Sequence, residues 1–115
     1  YTTSPAYHII EEKTDKYAAA PFAEGHYMQV EVAGRIAGSP ESELTGKFLA
    51  FMISPAFQDQ IPTTNWMYPV SDVTGGLPKE FGQLVQPAKS LLFTPEEVAA
   101  HRKQWIDEWS QATSP

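Results

Sequence analysis

The sequence predicts an α/β chain, helix-rich with one or two strands, on three observations. Ahead of the final Ser114-Pro115, four Ser-Pro or Thr-Pro steps, at Ser4, Ser39, Ser54 and Thr94, each pair a hydroxyl that can cap a helix start with a proline pre-set for the first helical position. Apolar residues recur at helical spacing behind the second and fourth of these steps, and one stretch between the first two alternates apolar with polar residues.

Taken in chain order, the first helix is expected over residues 5–13, with Tyr7 and Ile10 on one face. Residues 17–22 are a candidate extended segment. Residues 26–33 read as a strand, with Met28, Val30 and Val32 on one face and Tyr27, Gln29 and Glu31 on the other. The second helix begins at Pro40 and sets Leu44, Phe48, Phe51 and Met52 in a stripe that needs a partner surface. Ser54 restarts the chain as a short helix through Ala56, Phe57 and Gln60, ended by Pro62. Residues 71–87 hold Thr74, Gly75, Gly76 and Pro78 and read as loop, with a turn of helix near residues 81–85. Thr94 with Glu97 makes a capping box for the last helix, and Val98, Trp105 and Trp109 along one side predict that this helix lies on a body. One or two strands fall short of an ordinary sheet, so the missing strands are expected from sequence outside this chain. The opening at Tyr1, without Met or leader, reads as a piece cut from a longer protein or as a mature secreted domain.

Composition excludes several functions. With 8 Lys and Arg against 14 Asp and Glu, a formal charge of −6, the chain lacks the basic footprint of a nucleic-acid or anionic-membrane binder, and no nucleic-acid partner is expected. A small cation matches that charge better. No cysteine is present, which removes disulfides, thiol nucleophiles and Cys-based zinc sites. His8, His26 and His101 fall in different elements, and Glu97 with His101 has the spacing of a surface pair, so no metal site is expected. Neither a phosphate-cradling Gly loop nor a Gly-x-Ser-x-Gly elbow occurs, and no catalytic residue or cofactor is expected.

Two segments carry more polar or aromatic groups than packing requires. Tyr1-Thr2-Thr3-Ser4-Pro5-Ala6-Tyr7 sets three hydroxyls between two tyrosines at a helix start, where free amides favour an anionic group; an ordinary polar cap is the other reading. Asn65-Trp66-Met67-Tyr68 sits between Pro62 and Pro69, so Trp66 is either a platform for a flat or cationic ligand or an anchor of the loop in the core. Trp105 and Trp109, at helical spacing, read as packing residues.

The run Lys47-Phe48-Leu49-Ala50-Phe51-Met52-Ile53-Ser54-Pro55-Ala56-Phe57-Gln58, with Asn65-Trp66-Met67-Tyr68-Pro69-Val70, resembles the closing stretch of solute-binding proteins of the type II periplasmic fold. A longer match takes in the Tyr1 to His8 run, Tyr17-Ala18-Ala19-Ala20, Glu24-Gly25-His26-Tyr27, Gln29-Val30-Glu31-Val32-Ala33, Ile61-Pro62-Thr63 and Phe93-Thr94-Pro95. In these segments the chain is similar to the thiamine receptors of bacterial ATP-driven (ABC) importers. Gly34, Gly38 and Thr74-Gly75-Gly76 depart from that pattern at expected surface positions.

The resemblance implies the C-terminal part of a two-lobed, non-enzymatic receptor working in the periplasm beside a membrane permease. Residues 1–115 would then divide into a cleft-lining segment of the second lobe at about 1–25, a crossing strand at 26–34, and a return to the first lobe with the C-terminal helix at 35–115. It implies that Tyr1, Thr2, Thr3 and Ser4 line the cleft, with Tyr7 and Trp66 as aromatic walls. The ligand implied is thiamine or a thiamine phosphate. A ferric-ion or other small-anion receptor of the same fold is the alternative, weakened because Tyr1 is followed by Thr2 and Thr3 where iron receptors set adjacent tyrosines. A structural or interaction domain is the second alternative. Self-association is expected if the apolar stripe stays uncovered.

Overall fold

The computed structural model describes residues 1–114. The elements are α1 (Pro5–Ile10), β1 (His26–Tyr27), α2 (Ser42–Met52), α3 (Pro55–Gln58), α4 (Ile61–Thr64), a 3-10 helix (Lys79–Gln83), β2 (Ser90–Leu91) and α5 (Pro95–Thr113). The chain is open in shape. Its radius of gyration is 17.7 Å, against roughly 13 Å for a compact domain of this length. No helix among the described residues is long and apolar enough to cross a membrane.

Helix α1 stops three residues short of the expected end because the chain turns left-handed at Lys13, with φ 54°. The Thr14 amide then reaches back to the His8 carbonyl at 3.1 Å and the Lys13 ammonium bonds the Ile10 carbonyl, so two of the last carbonyls of the helix find donors from beyond its end. Ala6 of α1 packs with Phe81 and Leu84 at the 3-10 helix in a small buried core, against which Ile10 and Trp66 lean. The helical turn anticipated near residues 81–85 thus exists slightly earlier, and it carries most of that core.

The strand expected over residues 26–33 is a strand only at His26 and Tyr27. These pair in parallel with Ser90 and Leu91, and the flanking bonds run from the His26 amide to the Lys89 carbonyl and from the Met28 amide to the Leu91 carbonyl. Gly25 is required there: at φ +115° it lies so close to Lys89 that an added Cβ would sit 2.9 Å from the Lys89 carbonyl oxygen. Beyond Tyr27 no strand among the described residues pairs with the alternating stretch, and Val30 and Val32 stay exposed. Alternation alone does not make a ladder. No strand or helix is assigned over residues 17–22.

The apolar stripe of α2 forms as expected, yet Leu44, Phe48 and Phe51 remain 63%, 55% and 47% exposed, so most of the stripe has no cover here beyond the edge-to-face contact of Phe51 with Phe57. Its cap position is Glu41 rather than Ser39. Pro62 does not end the following helix. It lies in the first turn of α4, fully buried, where its missing amide costs no helical bond. The segment is therefore two single-turn helices, with the chain turning between Gln58 and Ile61.

Of the hydroxyl caps read from the sequence, only Thr94 acts as one. Ser4 makes no capping bond, and Ser54 has cap geometry while its Oγ is buried without a partner. At Thr94 the box is complete: Oγ1 accepts from the Glu97 amide at 3.2 Å, and the Glu97 carboxylate accepts from the Thr94 amide at 2.8 Å and its hydroxyl at 2.9 Å. Contrary to expectation, α5 does not lie on a body. None of its residues is buried and Trp109 is 69% exposed; its link to the rest is an aromatic row from Trp105 through Phe93 to Tyr27, with ring centroids 5.0 and 5.6 Å apart.

The two bonds from Thr94, backbone first, hold the Glu97 carboxyl below its ordinary pKa, with His101 adding a smaller pull. A depressed carboxyl stabilises the folded form above its unfolded pKa and loses that contribution as pH falls through the lower folded value. Acid titration of helical circular dichroism should therefore show a loss below the ordinary carboxylate range that Glu97→Gln removes. Superimposable acid limbs for the two proteins would contradict this.

Candidate functional site

The site is built from two segments far apart in the chain. Residues 1–4 form a turn closed by the Ser4 amide on the Tyr1 carbonyl at 3.2 Å, and the turn runs directly into α1. This continuity removes the anion site expected of the helix start. The Ala6 and Tyr7 amides bond the Thr3 and Ser4 carbonyls at 3.0 and 3.2 Å, and Pro5 has no amide, so the donors after Ser4 are already used. What the turn offers a ligand is its side-chain hydroxyls.

Those hydroxyls point to different surroundings. Thr3 is only 4% exposed, and its Oγ1 lies 3.7 Å from the Met67 sulfur, which ties the turn to the second segment. Ser4 is exposed and Thr2 half-buried. Tyr1, 72% exposed, borders with Thr2 and Thr3 a cavity of about 470 Å³ whose other walls include His26, Met28 and Tyr68. Tyr7 and Trp66 are not among its walls.

The second segment places Trp66 against Tyr7. Asn65 closes α4 through its amide on the Ile61 carbonyl, and Trp66 then takes a left-handed conformation, φ 56°, that a bulky residue adopts only when its surroundings fix it. Here one part of the indole leans on the core of Ala6, Phe81 and Leu84, and the ring meets Tyr7 edge to face, centroids 5.3 Å apart at 78°. Trp66 is thus in part the anchor that one reading of the sequence expects, and the rest of its indole stays half-buried surface. Two rings at right angles form a corner: a flat cation lying on one face meets the other ring at its edge.

Of the six residues named from the sequence, Tyr7 and Trp66 are in contact, Thr3 is tied to Met67 beside Trp66 in the chain, and Tyr1, Thr2 and Ser4 share the turn without any side-chain hydrogen bond to the aromatic pair among the described residues. Sequence reasoning gave no role to Gln58, which is 6% exposed and bonds backbone at both ends of its amide. It also missed Gln86, whose amide donates to the Tyr68 hydroxyl at 3.1 Å. Neither has a spacing signature. Among the described residues no three His, Cys, Asp or Glu side chains are placed to share a metal ion.

No protein-family model matches the chain. It is 65% identical over 114 residues to a thiamine-binding periplasmic protein of Escherichia coli K12, and 50% identical over 114 residues to one of Brucella abortus. In each case the alignment takes in 99% of this chain and 34% of the relative, so the chain spans about a third of the length of these proteins. A solved periplasmic thiamin binding protein superposes with a TM-score of 0.86 at 64% identity, covering 100% of this chain and 36% of that one. The fold class expected from the sequence holds against that structure, with helices predominant and two short strands. Over the third of their length that it spans, the chain is similar throughout to proteins named as periplasmic thiamine-binding proteins.

Proposed function

We propose that this chain forms one wall of a periplasmic thiamine receptor, the substrate-binding component of an ABC importer that hands its ligand to a membrane permease. The observation that carries the reading is the Tyr7 and Trp66 corner, in a chain aligned over 99% of its length with proteins named for thiamine binding. Thiamine offers a flat pyrimidine, a permanently cationic thiazolium and a hydroxyethyl arm that can carry phosphate. The corner suits the rings and the charge. A formal charge of −6 favours a cation over an anion.

In this reading the receptor acts by binding and not by catalysis. Residues 1–25 belong to one side of the cleft, residues 26–34 cross between lobes, and residues 35–115 bring Trp66 back to the same cleft. Tyr1, Thr2 and Ser4 offer hydroxyls to the ligand, and Thr3 holds the turn against Met67. The uncovered α2 stripe is a surface for the rest of such a receptor, and for self-association when the chain stands alone.

Titrating thiamine into a receptor of the relatives' length that contains this chain, and following tryptophan fluorescence, tests the proposal. Saturable quenching supports it; no quenching and no heat of binding would sink it, and iron-dependent colour would favour the ferric alternative. Because the amides behind Ser4 are already bonded, a phosphate on the ligand meets only the hydroxyl there. Ser4→Ala is accordingly expected to weaken binding of a thiamine phosphate by about 1 kcal/mol and of thiamine by less. Equal losses for both ligands, read by calorimetry, would remove Ser4 from the phosphate.

A further inference from the structure

Gln58 is one of two buried polar residues among the described residues, and it sits on a helix of a single turn, where nothing about periodicity asks for a polar group. Burying a primary amide is costly unless both of its ends are bonded. Here both are. Nε2 donates to the Met52 carbonyl at 2.7 Å, at the last residue of α2, whose carbonyl has no helical partner. Oε1 accepts from the Val70 amide at 2.9 Å.

These bonds close a loop. Between Gln58 and Val70 lie α4 and Trp66, so the amide fixes the far end of the segment whose near end is held by buried Pro62. The neighbouring Asp59 repeats the device, its carboxylate accepting from the Thr74 amide at 2.7 Å. Trp66 needs such closure, since a left-handed tryptophan relaxes toward ordinary backbone once the ends of its loop are free.

We infer that Gln58 is a positioning residue for the ligand site: through Val70 it holds Trp66 at the angle to Tyr7 that makes the aromatic corner. The inference rests on the reading of Trp66 as a thiamine wall. It separates the two bonds by function, with the Met52 bond serving stability and the Val70 bond serving the site.

Two substitutions divide the bonds. Gln58→Met keeps the length of the side chain and loses both. Gln58→Glu keeps the acceptor for Val70 and loses the donor to Met52, at the cost of a buried carboxylate facing a carbonyl. In the full-length receptor, Gln58→Met is expected to weaken thiamine binding roughly tenfold, whereas Gln58→Glu melts lower and binds within about threefold of wild type.

Calorimetric titration with thiamine of wild type, Gln58→Met, Gln58→Glu, Trp66→Ala and the Gln58→Met/Trp66→Ala pair tests the inference. A residue acting through Trp66 should add nothing once the indole is gone, so the double variant should match Trp66→Ala. Full additivity, or wild-type affinity in folded Gln58→Met, would overturn the positioning role. If Gln58→Met does not fold, Gln58→Glu decides: a folded protein with affinity lost beyond about tenfold contradicts the account. No binding by wild type, or no effect of Trp66→Ala, would instead refute the proposed site itself.

Discussion

The 115-residue chain alone is expected to bind thiamine at least about a hundredfold more weakly than a receptor of the relatives' full length. A site that buries most of a small ligand needs walls on opposite sides, and in the proposed site the corner of Tyr7 and Trp66 is one wall. Tyr1 is 72% exposed and Tyr7 39%, so a ligand placed there keeps much of its surface in water. Hydrogen bonds and charge contacts are worth less in that setting. The same chain should associate with itself, because Phe48 and Phe51 of α2, Val32 and Trp109 present apolar surface to solvent. Titration with thiamine alongside light scattering over a range of concentrations reads both effects. A monomer with the affinity of the whole receptor would show the site to be complete within these residues.

Trp66→Ala in the full-length receptor is expected to cost about 1 to 3 kcal/mol of thiamine affinity, roughly 5- to 150-fold. In the proposed site the open part of the indole supplies the stacking face and the cation contact, and alanine supplies neither. Stability also falls, since the other part of the ring leans on Ala6, Phe81 and Leu84. Trp66→Phe separates the two roles. A phenyl ring retains much of the core contact but offers a smaller, weaker cation platform, so melting should recover more than affinity does. If both variants bound thiamine like wild type and only melted lower, Trp66 would be an anchor and the corner would have no part in recognition.

Local physics made part of this readable in advance. The Thr94 and Glu97 box depends on residues three apart, and it forms as the sequence suggests. The α2 stripe depends on helical spacing, and it too forms. What local pattern could not give was cover. Residues 29–33 alternate like a strand and find no ladder, and the apolar side of α5 finds no body, because burial depends on surfaces elsewhere. Pro62 misled for a different reason: a proline that ends one turn is equally suited to begin the next.

The site divides along the same line. Tyr7 and Trp66 are too far apart in sequence for spacing to join them; resemblance to known receptors named both, and folding brings them to 5.3 Å. The helix start at Ser4 looked like an anion site because Ser-Pro commonly leaves free amides, but the preceding turn had already bonded them. Gln58 was invisible as a functional residue because its importance lies in two backbone partners, 6 and 12 positions away, that only the folded loop supplies.

The most direct measurement is a crystal structure of the full-length receptor with thiamine bound. The account predicts the ligand against Trp66 and Tyr7, one ring of thiamine stacked on an aromatic face and the hydroxyethyl arm toward the hydroxyls of residues 1–4. Thiamine bound elsewhere, with Trp66 and Tyr7 packed only on each other, would contradict it.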